Sequence, residues 1–334
     1  MKIIVTGSSG FIGFHVSKKL LGSGNKVHGI DSMNNYYDVN LKKARLAILK
    51  KYKNFSFSKA KIENSKDLGK AFKKFKPSVV IHLAAQAGVR YSIEKPRVYL
   101  DSNITGTYNI IEISKKLNVK HLIMASSSSV YGANKKIPFK EIDKTETQMS
   151  IYAATKKSCE IMSHSFSHIH NLPITNFRFF TVYGPWGRPD MALFKFVKAI
   201  KENKPINVYN NGLMKRDFTY ISDLVKAISL LINCIPEKGI KKTPSDSLSE
   251  VAPWRVVNIG NSSSQNLTDF ISEIENNLDC KAHKNFMPMQ KGDVKETFAD
   301  CKLLFELTGF KPNTPLREGI KKFCDWYEIY YKNN

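Results

Sequence analysis

Tyr152 and Lys156 are the residues of this chain best spaced for proton chemistry. They lie within 149–170, a stretch free of Gly and Pro that is predicted to be a helix. An i, i+4 pair projects from one face of a helix, so the lysine ammonium stabilises the phenolate of the tyrosine. A free phenol has a pKa of about 10 and needs such help to act as a base at neutral pH. Other Tyr–Lys pairs with this spacing occur at chance frequency and adjoin Pro or Gly.

Four consecutive serines, Ser126–Ser129, offer the hydrogen bond that a phenolate base also requires. They follow a predicted strand at 120–125, at the carboxyl end where parallel sheets bind their ligands. Val130-Tyr131-Gly132 closes the run, and this ordered flank argues against a flexible serine-rich loop.

A glycine-rich segment, TGSSGFIG, follows the first predicted strand and opens a helix. Its glycines allow a tight turn and a close approach to a pyrophosphate, which the helix N-terminus favours. Asp31 closes the second strand, where a carboxylate accepts the adenosine ribose hydroxyls and repels a 2′-phosphate. This order predicts NAD rather than NADP, and no Lys-Ser/Thr pair follows at the spacing of a P-loop. The predicted cofactor residues in this unit are Gly7, Gly10, Phe11, Ile12, Gly13 and Asp31.

The elements that must position these residues alternate between two hydrophobic periods, which predicts an α/β fold with a Rossmann-type doubly wound parallel sheet. Short apolar runs at 2–6, 26–30 and 78–82 are predicted strands, with helical spacing at 11–21, 39–51 and 65–75. A helix at about 99–116, a strand at 120–125, a helix at about 149–170 and a strand at 173–179 continue the pattern.

The alternation loosens after about residue 180, where loops separate shorter elements. We therefore expect a cofactor domain at 1–180 and a smaller α/β substrate lobe at 181–334, with some elements interleaved. Residues 237–253 form the most polar, linker-like stretch, which we expect to be the most mobile.

The charge of the chain is unusual, at +23 from 52 Lys+Arg against 29 Asp+Glu. It raises nucleic acid, an anionic membrane surface or an anionic substrate as partners. Most of the basic residues are lysines in scattered doublets, whereas nucleic-acid readers concentrate their charge and use Arg for bidentate contacts. This pattern favours a solvated surface, so we expect neither a nucleic-acid nor a membrane partner.

The five cysteines have no CxxC or other metal-ligand spacing, so we expect free thiols and no metal site. The apolar residues at the N-terminus are interrupted too early for a signal peptide, and no run reaches the length of a membrane span. A cytoplasmic location is the expectation.

With these motifs the sequence resembles the extended short-chain dehydrogenase/reductases that act on nucleotide sugars. The resemblance covers nearly the whole chain and is closest to the UDP-glucuronate 4-epimerases, which the loop at 31–46 and the VYGPWGRPDM segment match closely. The matching motifs are TGSSGFIG, LAAQAGVR, SSSSVYG, YAATK, RFFTVYGPWGRPDM, KRDFTYISD, NIGN, GDV and FKPNTPLREG.

This resemblance implies a reaction cycle without net oxidation. Hydride passes from C4 of the sugar to a tightly held NAD while Tyr152 removes the hydroxyl proton, assisted by Lys156 and Ser127. The 4-keto sugar then rotates and takes the hydride back on its other face. Lys156 also binds the nicotinamide ribose by the same resemblance, and the resemblance places the enzyme in polysaccharide biosynthesis.

The residues around Ser127 bear on what happens to the ketone. Related decarboxylases carry Glu just before VYG and related 4,6-dehydratases carry Asp-Glu there, but this chain has Ser128 and Ser129. The C6 carboxylate of an oxidised glucuronate is β to the ketone and is lost easily. We therefore expect Ser127, Ser128 and Thr181 to hold it by neutral hydrogen bonds and to favour epimerisation.

Other functions stay open at this point. The same scaffold can epimerise UDP-N-acetylglucosamine or UDP-glucose, or decarboxylate UDP-glucuronate. A basic binding protein that keeps the nucleotide fold as a relic belongs to a different class, and the aligned Tyr152 and Lys156 argue against it.

Arginine is scarce, so the arginines within motifs are informative. By resemblance Arg188 and Arg216 contact the diphosphate and the uridine, for which the planar guanidinium is well suited. Arg90 is a further anion-binding candidate, and Asp293 is expected to accept the uridine ribose hydroxyls.

Lys61 departs from the family pattern, because the family usually has an Asp there that binds the adenine amino group. Adenine recognition then rests on the backbone around Ile62, and we expect a more exchangeable NAD. The resemblance also suggests a homodimer through the helices at about 99–116 and 149–170.

Overall fold

Seven parallel strands form the central sheet of this protein in a computed structural model, which describes residues 1–290 and 292–332. In chain order the strands are β1 (Lys2–Thr6), β2 (Lys26–Asp31), β3 (Phe55–Lys59), β4 (Val79–His82), β5 (His121–Ala125), β6 (Ile174–Phe179), β7 (Thr181–Tyr183), β8 (Ile206–Tyr209), β9 (Lys215–Tyr220), β10 (Trp254–Ile259), β11 (Ser264–Asn266) and β12 (Lys284–Met287).

The helices pack on both faces of the central sheet and around the smaller sheets. In chain order they are α1 (Phe11–Gly22), α2 (Val39–Lys50), α3 (Ser65–Phe75), α4 (Val89–Glu94), α5 (Pro96–Tyr99), α6 (Gly106–Lys116), α7 (Ile151–His170), α8 (Ala192–Lys201), α9 (Ile221–Leu231), α10 (Leu267–Leu278), α11 (Lys302–Thr308) and α12 (Leu316–Lys332). A π-helical stretch, Leu100–Thr105, joins α5 to α6, and short 3₁₀ turns occupy Ser128–Tyr131 and Asn210–Gly212.

The strand order of the central sheet is β10-β6-β5-β4-β1-β2-β3, which confirms the predicted doubly wound α/β fold. The order reverses between β1 and β4, where Thr6 lies opposite His82. Such a reversal opens a crevice at the carboxyl ends of the strands, and sheets of this kind bind their ligands there. The glycine segment after β1 and the serines after β5 both emerge on that edge.

Continuous apolar runs form these strands because both faces of the sheet are covered. In β1, Ile3 and Val5 face one hydrophobic cluster while Ile4 faces the other, and all three are fully buried. The strand period of two therefore divides one apolar run between two cores.

Two elements differ from a simple reading of the hydrophobic pattern. The sequence FSFSK of β3, at the sheet edge, is only half buried and lacks a long apolar run. The helix predicted at about 99–116 instead begins at Pro96, and its π-helical stretch places Asn103 in the interior.

The chain after residue 180 contributes to both parts of the molecule. It forms a three-stranded sheet, β11-β9-β7, and a two-stranded sheet, β12-β8, but β10 returns to the central sheet beside β6. Aromatic packing joins these elements, with the rings of Phe218 and Phe270 stacked at a centroid distance of 4.3 Å.

Residues 237–253 lack helices and strands, as expected of a linker, yet this segment is anchored to the core. The Asp246 carboxylate accepts a hydrogen bond from Arg255 Nη2 at 2.9 Å, and both side chains are fully buried. The prediction of a mobile linker did not anticipate this ion pair, because nothing in the polar sequence around Asp246 distinguishes it from its neighbours. None of the helices in the described part of the chain combines the length and the hydrophobicity that a membrane span requires.

Candidate active site

The glycine segment forms a tight loop at the carboxyl end of β1. Gly7 has a φ of +72°, and a Cβ on it would lie 2.9 Å from the backbone nitrogen of Ala84. A Cβ on Gly13 would lie 2.0 Å from the Gly7 carbonyl oxygen, so only glycine allows α1 to approach the loop this closely. No side chain caps the start of α1, where Phe11 and Ile12 lie, and its first N–H groups remain available to an anion.

Asp31 lies beside this loop at the end of β2. Its Oδ2 accepts a hydrogen bond from Ser9 N at 3.0 Å, and its Oδ1 accepts one from Met33 N at 2.8 Å. The carboxylate is thus fixed against the glycine loop through a backbone N–H of that loop.

Ile62 and Lys61 follow β3 on the same edge of the sheet. Ile62 is buried against Gly106, and a Cβ on Gly106 would lie 2.5 Å from Ile62 Cδ1. The Ile62 carbonyl accepts a hydrogen bond from Asn109 Nδ2 at 3.0 Å. Lys61 is exposed. Ile62 is therefore fixed through both its side chain and its carbonyl, whereas the Lys61 side chain is exposed.

The predicted Tyr–Lys pair lies at the start of α7. Ser150 caps this helix by accepting a hydrogen bond from Ala153 N at 3.1 Å. Lys156 is buried, and its Nζ donates to the Ala125 carbonyl at 2.9 Å, so the ammonium lies against the end of β5. Tyr152 is half-buried, with its ring edge-on to that of Tyr99 at 6.1 Å.

The serines after β5 form an ordered turn, here called the serine turn (Ser126–Ser129). Ser127 Oγ accepts a hydrogen bond from Ser129 N at 3.2 Å and so caps the 3₁₀ helix that follows. Ser126 Oγ donates to Glu160 Oε1 at 2.6 Å. The predicted hydroxyls thus lie on a fixed turn beside the strand end to which Lys156 is bound.

His82 supports the loop on the cofactor side. Thr6 Oγ1 accepts hydrogen bonds from Leu83 N and Ala84 N, so its own proton is donated to His82 Nδ1 at 2.7 Å. Nε2 therefore carries the imidazole proton and donates to Thr107 Oγ1 at 3.0 Å. Burial, with a smaller contribution from the charge of Lys156, lowers the pKa of His82 from 6.5 to about 3.

Arg188 and Thr181 line one small apolar cavity of about 40 Å³, together with Phe194 and Phe218. Arg188 forms a bidentate ion pair with Asp190, in which Nε and Oδ1 are 2.9 Å apart. Tyr36 donates to the same carboxylate at 3.2 Å. Two predicted substrate residues are thus brought together, and Arg188 is held in place by an acid that the sequence analysis missed.

Arg45 is a second residue that the motifs did not reveal. It is fully buried, and its Nη1 donates to the Ser9 carbonyl at 3.0 Å and to the Tyr37 hydroxyl at 2.7 Å. Its Nη2 donates to the Trp186 carbonyl at 2.6 Å. This one guanidinium ties the glycine loop to the loop that carries Arg188.

The remaining predicted substrate residues form a second charged group. Arg90 Nη2 lies 3.8 Å from Asp293 Oδ2, and its guanidinium lies 4.5 Å from the centroid of the Tyr209 ring. Arg216 Nη1 donates to the carbonyls of Lys215 at 2.9 Å and Lys295 at 3.1 Å. Burial lowers the pKa of Arg216, and the negative charge of Asp293 partly offsets that lowering. Arg90 and Arg216 therefore both lie near Asp293. The described residues contain no group of three or more His, Cys, Asp or Glu placed to bind a metal.

Comparison with known proteins decides the family to which this arrangement belongs. The model of the NAD dependent epimerase/dehydratase family matches residues 3–241. The chain belongs to this family. The resemblance seen in the sequence motifs is thereby confirmed.

Several relatives match this chain along nearly its whole length. Protein CapI of Staphylococcus aureus is 54% identical over 334 residues, which cover 99% of this chain and 100% of CapI. A probable UDP-glucuronate 4-epimerase of Rhizobium meliloti (strain 1021) is 50% identical over 335 residues, 99% of this chain and 98% of the relative. The UDP-glucuronic acid 4-epimerase of Bacillus cereus, solved with UDP-glucuronic acid and NAD, has a TM-score of 0.89 at 33% identity and covers 99% of this chain and 100% of its own.

Proposed function

We propose that this protein is a UDP-glucuronate 4-epimerase, which interconverts UDP-glucuronate and UDP-galacturonate by transient oxidation at C4 with NAD. The observation that carries the proposal is the serine turn facing the Tyr152 helix in a chain similar over its whole length to a UDP-glucuronic acid 4-epimerase. The turn presents hydroxyls where related decarboxylases and dehydratases have acids.

The glycine loop fits NAD. Close backbone contacts at Gly7 and Gly13 leave the uncapped start of α1 facing the crevice, and buried Ser9 Oγ has no hydrogen-bond partner among the described residues. A pyrophosphate oxygen supplies such a partner. Asp31 holds the adenosine ribose, and Ile62 provides backbone contacts to the adenine. When bound, NAD accepts the hydride from C4 and later returns it to C4.

Tyr152 takes the proton of the C4 hydroxyl as hydride leaves and returns it as hydride comes back. Lys156, fixed by the Ala125 carbonyl, stabilises the phenolate and holds the nicotinamide ribose. Ser127 provides the hydrogen bond at the reacting oxygen. Ser127 also caps the 3₁₀ helix by accepting a hydrogen bond from Ser129 N, so the backbone that carries this hydroxyl is held in one conformation.

Ser128 and Thr181 complete a neutral cradle for the C6 carboxylate. Hydrogen bonds from hydroxyls grip a carboxylate while adding no proton donor strong enough to assist its loss. We propose that this cradle keeps the carboxylate in place during the lifetime of the 4-keto sugar.

Arg188, Arg216, Arg90 and Asp293 hold the rest of the substrate. Arg188 serves as the diphosphate contact, and its bidentate pairing with Asp190 orients the guanidinium. Arg216 and Arg90 add positive charge at the uridine end, where Asp293 accepts the ribose hydroxyls. These contacts account for the small part of the +23 charge that serves a ligand.

We also propose a homodimer that works in the cytoplasm in polysaccharide biosynthesis. Apolar side chains of α6 and α7 support the dimer, since Tyr108 is 42% exposed, Ile161 57% and Ile169 69%. All five cysteines are free, in keeping with a reducing compartment. Light scattering of the purified protein tests the dimer, and Ile161→Glu should shift the molar mass toward that of a monomer.

Product analysis tests the function. Purified protein incubated with UDP-glucuronate should yield UDP-galacturonate and return UDP-glucuronate from UDP-galacturonate. A UDP-pentose as the main product would make the protein a decarboxylase, and turnover of UDP-glucose or UDP-N-acetylglucosamine alone would reassign the substrate.

A further inference from the structure

Glu160 is a buried carboxylate directly behind the active site. It lies on α7 one helical turn after Lys156, and its side chain is 1% exposed. Its partner Arg178, near the end of β6, is 3% exposed. The reaction uses neither side chain, so their burial calls for another explanation.

Four hydrogen bonds reach the Glu160 carboxylate, the longest from Lys157 Nζ to Oε2 at 3.4 Å. Arg178 Nε donates to Oε1 and Arg178 Nη2 donates to Oε2, each at 2.9 Å, and Ser126 Oγ donates to Oε1 at 2.6 Å. Although burial disfavours the charged form, the guanidinium of Arg178 and these bonds hold the pKa of Glu160 below its ordinary value. Glu160 thus stays ionised and joins α7, β5 and β6 at one point.

The two residues Ser126 and Arg178, which are bound to Glu160, each lie close in sequence to a residue proposed to hold the substrate. Ser126 directly precedes Ser127, and Arg178 lies three residues before Thr181. The Arg178 guanidinium also lies 4.8 Å from the centroid of the Tyr131 ring, which ends the 3₁₀ helix that begins at Ser128. α7 itself carries the proposed base.

We infer that Glu160 and Arg178 are positioning residues that fix the serine turn and Thr181 against α7, and thereby keep the substrate's carboxylate from leaving while C4 is a ketone. The inference rests on the proposed epimerase function. Because both side chains are almost fully buried, they act through the neighbours they hold and not through contact with the substrate.

The competing reaction follows from the electronic structure of the 4-keto acid. If the carboxylate is poorly held, the C5–C6 bond breaks and carbon dioxide leaves. The electron pair of that bond passes into the enolate of the C4 ketone, and C5 then takes a proton. The product is a UDP-4-keto-pentose, or a UDP-pentose once hydride has returned to C4. The ratio of pentose products to UDP-galacturonate therefore reports how well the cradle holds the carboxylate.

Ser126→Ala and Glu160→Gln test this role, with Ser167→Ala as the matched control. Ser126→Ala removes the hydrogen bond from the serine turn to Glu160 and keeps the ion pair between Glu160 and Arg178. Ser167 is a buried serine of α7 with one hydrogen bond, of 2.7 Å to the Leu172 carbonyl, and it lies away from the serine turn. The ratio of pentose products to UDP-galacturonate is measured by chromatography alongside the melting temperature of each variant.

Ser126→Ala should raise the pentose ratio by about threefold to tenfold, the factor that corresponds to the net loss of one ordinary hydrogen bond. Glu160→Gln should raise it further, whereas Ser167→Ala lowers the melting temperature and leaves the ratio unchanged. An unchanged ratio in Ser126→Ala would overturn the inference, even if Glu160→Gln fails to fold. A wild-type protein that makes no UDP-galacturonate would refute the proposed function instead.

Discussion

Gly13→Ala probes the fit between the glycine loop and its cofactor. The added methyl group would lie 2.0 Å from the Gly7 carbonyl oxygen, whereas ordinary contact begins near 3.4 Å. The carbonyl must retreat by more than about 1 Å, and it belongs to the turn that approaches the pyrophosphate. Overpacking of this kind costs about 1–3 kcal/mol. If that cost falls on the NAD-bound form of the loop, NAD binds about 5- to 150-fold more weakly.

Gly22→Ala is the matched control, because Gly22 ends the same helix and a Cβ on it would meet nothing within 4 Å. It should leave NAD binding unchanged and raise the free energy of unfolding by up to about 1 kcal/mol, since alanine favours a helix over glycine. NAD affinity is measured by titration of cofactor-free protein, and folding by circular dichroism. Wild-type NAD affinity in a folded Gly13→Ala protein would refute the close approach at this loop.

Four further changes test other parts of the site. Tyr152→Phe should lower turnover by about 10²- to 10⁴-fold without changing the melting temperature, and a smaller loss would remove the tyrosine from the base role. Asp31→Ala should narrow the preference for NAD over NADP, measured as the ratio of their dissociation constants. Lys61→Asp should slow NAD release during dialysis, and full retention by the wild type would show that Lys61 does not weaken binding. Because the pKa of His82 falls from 6.5 to about 3 on folding, its stabilising contribution is complete above pH 6.5 and is lost as pH falls toward 3. His82→Gln should reduce the fall in melting temperature between pH 6.5 and pH 3. An unchanged dependence of the melting temperature on pH would contradict the buried neutral imidazole.

The local parts of the site were predictable from sequence because short-range patterns specify them. The glycine loop, Asp31 and the Tyr152 helix each depend on spacing within one supersecondary unit, where strand and helix periods are visible. The doubly wound sheet followed from the same alternation of periods.

The long-range parts were not predictable, because no local pattern records them. Arg45 bonds with Ser9, 36 residues away, and with Trp186, 141 residues away, and nothing around Arg45 distinguishes it from a surface residue. In the sequence, Glu160 occupies an ordinary polar position of an amphipathic helix, and only the tertiary structure shows its contacts with Arg178 and Ser126. The return of β10 to the central sheet and the anchoring of 237–253 by Asp246 likewise depend on tertiary contacts.

Transfer of hydride at C4 is tested most directly with UDP-glucuronate that carries deuterium at C4. The protein and its bound NAD are incubated with this substrate in ordinary water, and the product is examined by mass spectrometry and NMR. Transient oxidation at C4 predicts UDP-galacturonate that retains the deuterium at C4 with inverted configuration. UDP-galacturonate that has lost the deuterium to solvent would contradict it, because the C4 hydrogen would then have left as a proton.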